Sequence, residues 1–205
     1  PFFDNLYRDR RDIHHDLNAN LYAIVKLPFG FEYQMNFTPR YHWYEYMNHE
    51  SAEHPEWAGD GGRSERKNEK TFNWQVDNSL RWKKEFGEDH RVEATFLQNA
   101  EKGQWWKTVA QNKLYSPSDI LGFHNIGAGT APSVSSEDTY KTGDALMGRL
   151  FYSFKDKYML TASVRRDGYS AFGSMNPHAV FPAVALGWVF TSEKFMEKTS
   201  DWLNY

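Results

Sequence analysis

The stretch TFNWQVDNSLRWK, residues 71–83, alternates apolar and polar side chains along its whole length. One face carries Phe72, Trp74, Val76, Asn78, Leu80 and Trp82, and the other carries Thr71, Asn73, Gln75, Asp77, Ser79, Arg81 and Lys83. Successive side chains of a β-strand point to opposite faces, so this period of two predicts a strand with one apolar face. Ordinary strands average about 5–6 residues, whereas a tilted membrane strand needs roughly 9–11. The length therefore favours a strand that crosses a membrane.

The same alternation recurs in residues 31–44, where aromatic and apolar side chains occupy one face and every charge lies on the other. Pro39 falls inside this segment, and it cannot donate a hydrogen bond to a neighbouring strand, so we expect a local interruption of pairing there. Five further segments alternate less purely: residues 17–27, 90–98, 145–154, 158–165 and 181–190. The sequence thus predicts about seven strands.

Short and long connections alternate between these strands. The short ones are residues 28–30, 87–89 and 155–157, and the long ones are approximately residues 45–69, 99–144 and 166–180. Short periplasmic turns alternating with longer extracellular loops are typical of outer-membrane β-barrels. We therefore expect an all-β, antiparallel meander of about seven strands that forms part of a large transmembrane β-barrel. A soluble β-sandwich, with the apolar face packed on a second sheet, is the alternative.

Composition narrows the functional classes. The 205 residues include no cysteine, so this chain contains neither a disulfide nor a thiolate metal site. The net charge is −3, and the basic residues are dispersed, so no basic patch predicts a nucleic-acid partner. No stretch approaches the roughly 20 consecutive apolar residues of a membrane helix. Aromatic residues make up 17% of an otherwise polar chain, which suits the aromatic girdles of a barrel and also a sugar-binding sandwich.

Two stretches near the end of the chain carry a family resemblance: GRLFYSFKDKYMLTASVRRDGYSAFG, residues 148–173, and VFPAVALGWVFTSEKF, residues 180–195. Their ordered features include the RRDG element at residues 165–168, the FP pair at 181–182, the GW pair at 187–188 and SEKF at 192–195. This run resembles the SusC/RagA family of TonB-dependent outer-membrane transporters. Less closely, His90 after a tight turn and the SPSD link at residues 116–119 are similar to the same family.

The resemblance implies that residues 1–205 are an internal part of a barrel of about 22 strands. It also implies that an N-terminal plug, an energy-coupling box and the closing strand belong to other parts of the protein. The location would be the bacterial outer membrane, with outer-membrane lipid around the wall. The function would be energy-dependent import of an oligosaccharide or peptide. The implied partners are a SusD-like surface lipoprotein acting as a lid and the TonB energising complex.

Catalytic and metal chemistry finds little support in the sequence. In HESAEH, residues 49–54, the two histidines are five positions apart, whereas a zinc protease motif needs a spacing of four on one helical face. His14 and His15 are adjacent, so on a strand they would point apart. No nucleophile elbow or phosphate loop is present. We predict no catalytic residue, no metal site and no cofactor, and an outer-membrane barrel enzyme is the weakest of three alternatives, behind a soluble glycan-binding sandwich.

Candidate ligand-contacting residues come from the polar strand faces and from the loops. Arg40, His42, Tyr44, Arg81 and Arg149 are predicted to line the pore. Trp105 and Trp106, in a predicted loop, offer planar rings suited to stacking on sugars, as does Trp57. These tryptophans equally suit the aromatic girdles of a membrane barrel or packing within the loops.

Overall fold

The computed structural model describes residues 4–172 and 177–199 and consists mainly of eight β-strands. They are β1 (Arg8–Asn18), β2 (Leu21–Lys26), β3 (Phe31–Glu50), β4 (Arg63–Phe86), β5 (His90–Lys113), β6 (Ser133–Phe154), β7 (Tyr158–Tyr169) and β8 (His178–Trp188). The helical elements are short: α1 (Asp4–Tyr7) and 3-10 turns at Pro28–Gly30, Ala58–Asp60, Gly122–Ala128, Ser170–Phe172, Phe190–Ser192 and Lys194–Thr199. Among the described residues, no helix is long and apolar enough to span a membrane.

All eight strands belong to one sheet with the order β1-β3-β4-β5-β6-β7-β8, and β2 also pairs with β3. The predicted antiparallel meander is therefore confirmed. The predicted first strand, residues 17–27, is instead two strands that pair with β3 in the same register. The break at Ala19 and Asn20 lies beside Pro39, whose carbonyl accepts a hydrogen bond from the Ala19 amide but which has no N–H to return. The expected interruption at Pro39 thus falls in its partner strand.

The chain divides into two compact units, and strands β3, β4, β5 and β6 run through both. The turn unit comprises residues 20–38, 75–102 and 141–205, and the loop unit comprises residues 1–19, 39–74 and 103–140. The sheet has two faces that are defined by residue parity. We call the face with the odd residues of β1–β3 and the even residues of β4–β8 the apolar face, and the opposite one the polar face.

The turn unit exposes its apolar face. Paired positions on that face include Leu150 opposite Ala162 and Ala162 opposite Val184. Leu186 is 82% exposed and Val184 73%, and no second sheet covers them among the described residues. A shallow groove on this face is lined mainly by apolar residues: Phe31, Leu80, Trp82, Ala94, Phe96, Leu150, Ala162, Val164, Pro182 and Val184. Leu80 and Trp82 share this face as predicted, and the sandwich alternative finds no support.

The tight turns of this unit require special backbone conformations. Gly30 has φ +83° and lies so close to the Lys83 carbonyl oxygen that a Cβ would meet it at 2.6 Å. Only glycine fits there, because it alone has no Cβ and tolerates positive φ at little cost. The indole N–H of Trp82 donates to the Phe29 carbonyl at 3.1 Å. Turn and strand are thus fastened together at this end.

Three polar side chains on the apolar face satisfy one another. The Tyr33 hydroxyl donates to Asn78 Oδ1 at 2.6 Å, and Asn78 Nδ2 donates to Gln98 Oε1 at 2.7 Å. This chain of hydrogen bonds joins β3, β4 and β5 on the apolar face. A polar group removed from water costs free energy unless it is hydrogen-bonded, so this pairing makes Asn78 tolerable there.

The long connections between strands are shorter than predicted. In the loop unit they are residues 51–62 and 114–132, whereas we expected residues 45–69 and 99–144. In the turn unit, β7 ends at Tyr169 and β8 begins at His178, so the connection is shorter than the expected residues 166–180. Gly173 of the quoted family motif lies outside the described residues. The predicted loops are wrong in extent because strand pairing continues where apolar alternation has ended.

One buried side chain, Asn112, holds the segment 122–131. Its Nδ2 donates to the carbonyls of Ile126 at 2.8 Å and Gly129 at 2.9 Å. Its Oδ1 accepts from the backbone amides of Lys113 at 2.9 Å and Ala131 at 3.0 Å. Asn112 is 3% exposed, so its side-chain amide satisfies its own hydrogen-bonding groups with these four backbone partners.

A buried carboxylate at the end of β3 connects the first residues of β1 and β4. Glu50 is 3% exposed and forms ion pairs with Arg8, at 2.7 Å, and with Arg63. Burial raises the pKa of Glu50, but the hydrogen bond from Arg8 and the charge of Arg63 outweigh it, so the net pKa is lowered. The carboxylate therefore stays ionised at neutral pH and keeps both arginines paired.

We expect Asn78→Val to destabilise the intact protein by about 1–3 kcal/mol, because Tyr33 and Gln98 lose a partner on an apolar face. The midpoint of urea unfolding in detergent measures this. The double variant Asn78→Val with Gln98→Leu removes a further polar group and should recover part of the loss. Equal midpoints for the wild type and the single variant would show that the chain of hydrogen bonds contributes nothing.

We expect Asn112→Leu to loosen the segment 122–131, since two carbonyls and two amides lose their shared partner. Hydrogen exchange of the backbone amides in residues 122–131 should accelerate at least tenfold, with little change in the amides of the tight turns. Gln111→Leu is the matched control, because Gln111 is exposed and its side-chain amide donates to Glu65 at 2.7 Å. Equal acceleration by both variants would contradict the assigned role of Asn112.

Candidate ligand-binding face

A ladder of rings and charges occupies the polar face of β1 and β3 in the loop unit. Pairing places His14 opposite Tyr44, Asp16 opposite His42 and Asp12 opposite Tyr46. Residues opposite one another in an antiparallel pair project to the same side, so these six side chains form one continuous surface.

Short contacts connect the ladder from end to end. The guanidinium of Arg10 binds Asp12 at 2.9 Å, and the Tyr44 hydroxyl donates to Asp12 at 2.8 Å. The His14 ring stacks on Tyr44 with centroids 4.5 Å apart and lies 5.5 Å from the His42 ring. His42 Nδ1 is 2.7 Å from Asp16. Each ring is therefore held in place by a neighbour rather than free to rotate.

The hydrogen bond from Arg10, followed by that from the Tyr44 hydroxyl, lowers the pKa of the exposed Asp12 carboxyl. Asp12 is consequently ionised throughout the neutral range. The face presents a fixed negative charge beside aromatic planes.

Strands β4 and β5 extend this surface. Lys67 lies over the rings of Tyr44, at 4.9 Å, and Tyr46, at 5.5 Å, and pairs with Glu69 at 3.3 Å. The indole N–H of Trp105 points to Glu69 Oε2 at 3.4 Å. Cation–π contacts of this kind hold a lysine ammonium over the face of an aromatic ring. The surface thus alternates rings with charges of both signs.

The structure brings together only part of the predicted set. His42, Tyr44 and Trp105 belong to the connected surface, and Arg40 is exposed on the same face of β3. Arg81 and Arg149 are exposed on the polar face of strands in the turn unit. Trp106 follows Trp105 on β5 and therefore projects to the opposite face.

Four members of the ladder are not among the residues predicted from the sequence to contact a ligand. Arg10, Asp12, His14 and Asp16 lie on β1, whose sequence RDRRDIHHDLN has no apolar alternation to reveal a strand. The adjacent histidines do point to opposite faces, as expected. His14 nonetheless takes part, because its partners come from the neighbouring strand. The charged residues of β1 could have indicated this surface, but their partners are known only once the register with β3 is known.

His49 and His54 of the HESAEH stretch have separate surroundings. His49 Nδ1 is 2.9 Å from Ser64 Oγ and its Nε2 is 3.5 Å from Asp119, whose carboxylate accepts the Ala52 amide at 2.7 Å. Gly122, with φ +48°, approaches the His49 ring so closely that a Cβ would lie 2.7 Å from its Cγ. His54 stacks on Trp57 at 4.2 Å. Among residues 4–172 and 177–199, no group of three His, Cys, Asp or Glu could hold a metal ion.

The Ser64, His49 and Asp119 contacts resemble a nucleophile, base and acid in composition only. The Ser64 residue is 0% exposed, so its hydroxyl cannot reach a solute. Burial raises the pKa of Asp119, but the hydrogen bonds from Ala52 and Ser51 outweigh this and lower it overall. The arrangement fastens segment 114–132 to the end of β3. Trp57 is 7% exposed, with Arg8 4.9 Å above its ring, and therefore packs the loop instead of offering a platform.

Comparison with known proteins agrees with this architecture. A family model described as TonB dependent receptor-like, beta-barrel matches residues 1–197. TonB-dependent receptor P26 of Formosa agariphila is 29% identical over 144 residues, which cover 69% of this chain and 14% of that protein. TonB-dependent receptor SusC of Bacteroides thetaiotaomicron is 31% identical over 100 residues, which cover 47% of this chain and 8% of SusC.

Among solved structures, the RagAB peptide transporter matches 94% of this chain and 21% of the compared chain, with a TM-score of 0.85 and 18% identity. This likeness shows a shared fold. The chain spans between 8% and 14% of the length of the curated relatives that it matches. With the family model covering nearly all of its residues, the chain belongs to the TonB-dependent receptor β-barrel family of outer-membrane proteins, as a SusC/RagA-like part of the barrel wall.

Proposed function

We propose that the intact protein imports a bulky polar nutrient, an oligosaccharide or a peptide, across the outer membrane in an energy-dependent manner. The observation that carries the proposal is the polar face of the loop unit, where rings and charges are held in a continuous surface. Such a surface offers stacking planes together with hydrogen-bond partners. Both solute classes need that combination.

The ladder suits contact with a solute more than stabilisation of the sheet. Asp16 and His42 are both substantially exposed, and exposed pairs of this kind contribute little to stability. Glu50, by contrast, is buried and structural. His42, Tyr44 and Trp105 are half-buried, and ordered rings of this kind lose little conformational entropy when a ligand stacks on their open side. Arg40, His42, Tyr44 and Trp105 are accordingly the proposed contacts on this face. Arg81 and Arg149, on the polar face of strands in the turn unit, are proposed to line the pore.

Two partners complete the proposal. A surface lipoprotein of the SusD type would cover the long-loop end, and the TonB complex would supply energy through the N-terminal region of the intact protein. The similarity to SusC and the fold shared with RagAB support both partners. Catalysis is not proposed, because the Ser64 hydroxyl is buried and the family is one of receptors and transporters.

We expect uptake of the solute by cells that carry the intact gene to stop when the gene is deleted and when the inner-membrane energising complex is inactivated. Candidate oligosaccharides and peptides of matched size are offered separately, and accumulation in the cell is measured. Surface levels of the protein are compared by immunoblot. Uptake that persists without energisation would indicate a passive pore and would contradict the proposal.

We expect Trp105→Ala to weaken solute binding by roughly five- to tenfold, which corresponds to about 1–1.5 kcal/mol for a lost stacking plane. Binding is measured by calorimetry on the purified intact protein. Trp106→Ala is the matched control, because it removes the same side chain from the opposite face of β5. Trp105→Phe should retain part of the affinity. If the two alanine variants weaken binding equally, the polar face is not the contact surface.

A further inference from the structure

The first part of β6 has a paired strand on one side only. In the sheet β6 lies between β5 and β7, but β7 pairs with it only from Gly143 to Phe154. Residues 133–139 are all exposed, and we call them the open edge of β6. They belong entirely to the loop unit. Among residues 4–172 and 177–199, no strand pairs with the open edge on the side away from β5.

Alternate residues of the open edge direct their backbone groups out of the sheet. Successive residues of an antiparallel strand turn their N–H and C=O groups to opposite neighbours. The amide of Thr142 donates to the Ser170 hydroxyl at 3.0 Å, on the side of β7. The amide of Ala131 donates to the Lys113 carbonyl at 3.3 Å, on the side of β5. Even-numbered residues of β6 therefore face away from β5, and on the open edge they are Val134, Ser136 and Asp138.

The sequence of the open edge, SVSSEDT, leaves it able to accept another chain. It contains no proline and no lysine, the residues that commonly block an edge strand. Its charges are the carboxylates of Glu137 and Asp138, and neither forms an ion pair in the part of the chain that the structure describes. A second copy of the chain would bring further carboxylates to the same short stretch, which is electrostatically unfavourable. The edge therefore suits an extended chain with basic side chains.

The length of the open edge fits a short peptide better than a folded partner. A stable protein interface generally needs roughly 800 Å² and about 20–30 residues on each side. The open edge is only part of one strand, and it offers the outward N–H and C=O groups of three residues. Backbone hydrogen bonds each contribute about 0.5–1.5 kcal/mol net, so this number suits reversible binding.

We propose that the open edge of β6 captures an extended, basic peptide solute as an added β-strand. Backbone hydrogen bonds hold such a peptide whatever its sequence, and its basic side chains pair with Glu137 and Asp138. Odd-numbered residues of β6 share the polar face with Trp105 of β5, so every second side chain of the bound peptide projects on that face. The inference rests on the proposed import function and selects peptides over oligosaccharides as the solute.

The test measures peptide binding by calorimetry on the intact protein purified in detergent. The probe is a synthetic peptide of eight residues in which threonine and lysine alternate. The same peptide with every backbone amide N-methylated keeps its charges but cannot donate backbone hydrogen bonds, and we expect it to bind at least tenfold more weakly. A peptide with glutamine in place of each lysine keeps the backbone but lacks the charges, and we expect it to bind about fivefold more weakly.

Variants then assign the binding to the open edge. Ser136→Pro removes one outward amide but leaves the pairing with β5, because the Ser136 N–H faces away from β5, and it should weaken binding at least fivefold. Ser136→Ala keeps the amide and is the matched control, with affinity equal to that of the wild type. Glu137→Gln with Asp138→Asn should abolish the preference for the lysine peptide over the glutamine peptide. This double variant keeps every backbone amide, so it tests the site even if the proline variant does not fold.

Several results would overturn this inference. Equal affinity for the N-methylated peptide would mean that the main chain is not recognised. Slow hydrogen exchange of the Val134, Ser136 and Asp138 amides before peptide is added would show that another part of the intact protein covers the edge. Edge-dependent binding without uptake of the lysine peptide by cells that do take up an oligosaccharide would identify a docking site for a partner segment. Failure of the import function is a separate result, because it shows as uptake that persists without energisation while peptide binding is unchanged.

Discussion

The hydrogen-bonded ladder of the backbone is the constraint on which the rest of this structure depends. In a lipid environment no water can satisfy an N–H or C=O, so each strand must pair with its neighbours along its whole membrane length. Pairing imposes a period of two on the side chains, and one face must then be apolar. The exposed leucine, valine and phenylalanine side chains of the turn unit are the direct result. Among the residues that the structure describes in this unit, no large apolar side chain is buried in a core, because lipid takes the place of one.

The same constraint explains how individual polar residues are handled. Pro39 has no N–H, and the neighbouring chain leaves its strand beside it, where a ladder bond could not form. Asn78 is polar on an apolar face. Its side-chain oxygen accepts a hydrogen bond from Tyr33, and its side-chain nitrogen donates one to Gln98. In each case the neighbouring one or two strands prevent a polar group from being left without a hydrogen-bond partner. The register of the strands therefore decides which polar groups find a partner.

The predictability of the fold from sequence follows from where lipid touches the chain. Residues 71–83 alternate cleanly because one face must be apolar, and their strand and faces were correctly predicted. In the first part of β4, from Arg63 to Lys70, both faces of the strand carry charged side chains, because water or protein surrounds both faces. The apolar alternation is absent there although the strand remains paired, so the sequence pattern predicts a loop where the structure has a strand. The ladder on β1 was missed for the same reason: the meaning of His14 and Asp12 depends on Tyr44, which lies 30 or more residues away.

Strand length connects these points to function. β4 and β5 have 24 residues each, whereas a membrane crossing needs roughly 9–11. More than half of each strand is thus free of the requirement for an apolar face. That freed length carries the rings and charges of the polar face, on a rigid backbone instead of a flexible loop. A surface built on paired strands holds its groups in place before a ligand arrives, which reduces the entropy lost on binding. The same backbone pairing that satisfies N–H and C=O groups in lipid therefore also supports, in the loop unit, the surface that we propose as the ligand contact.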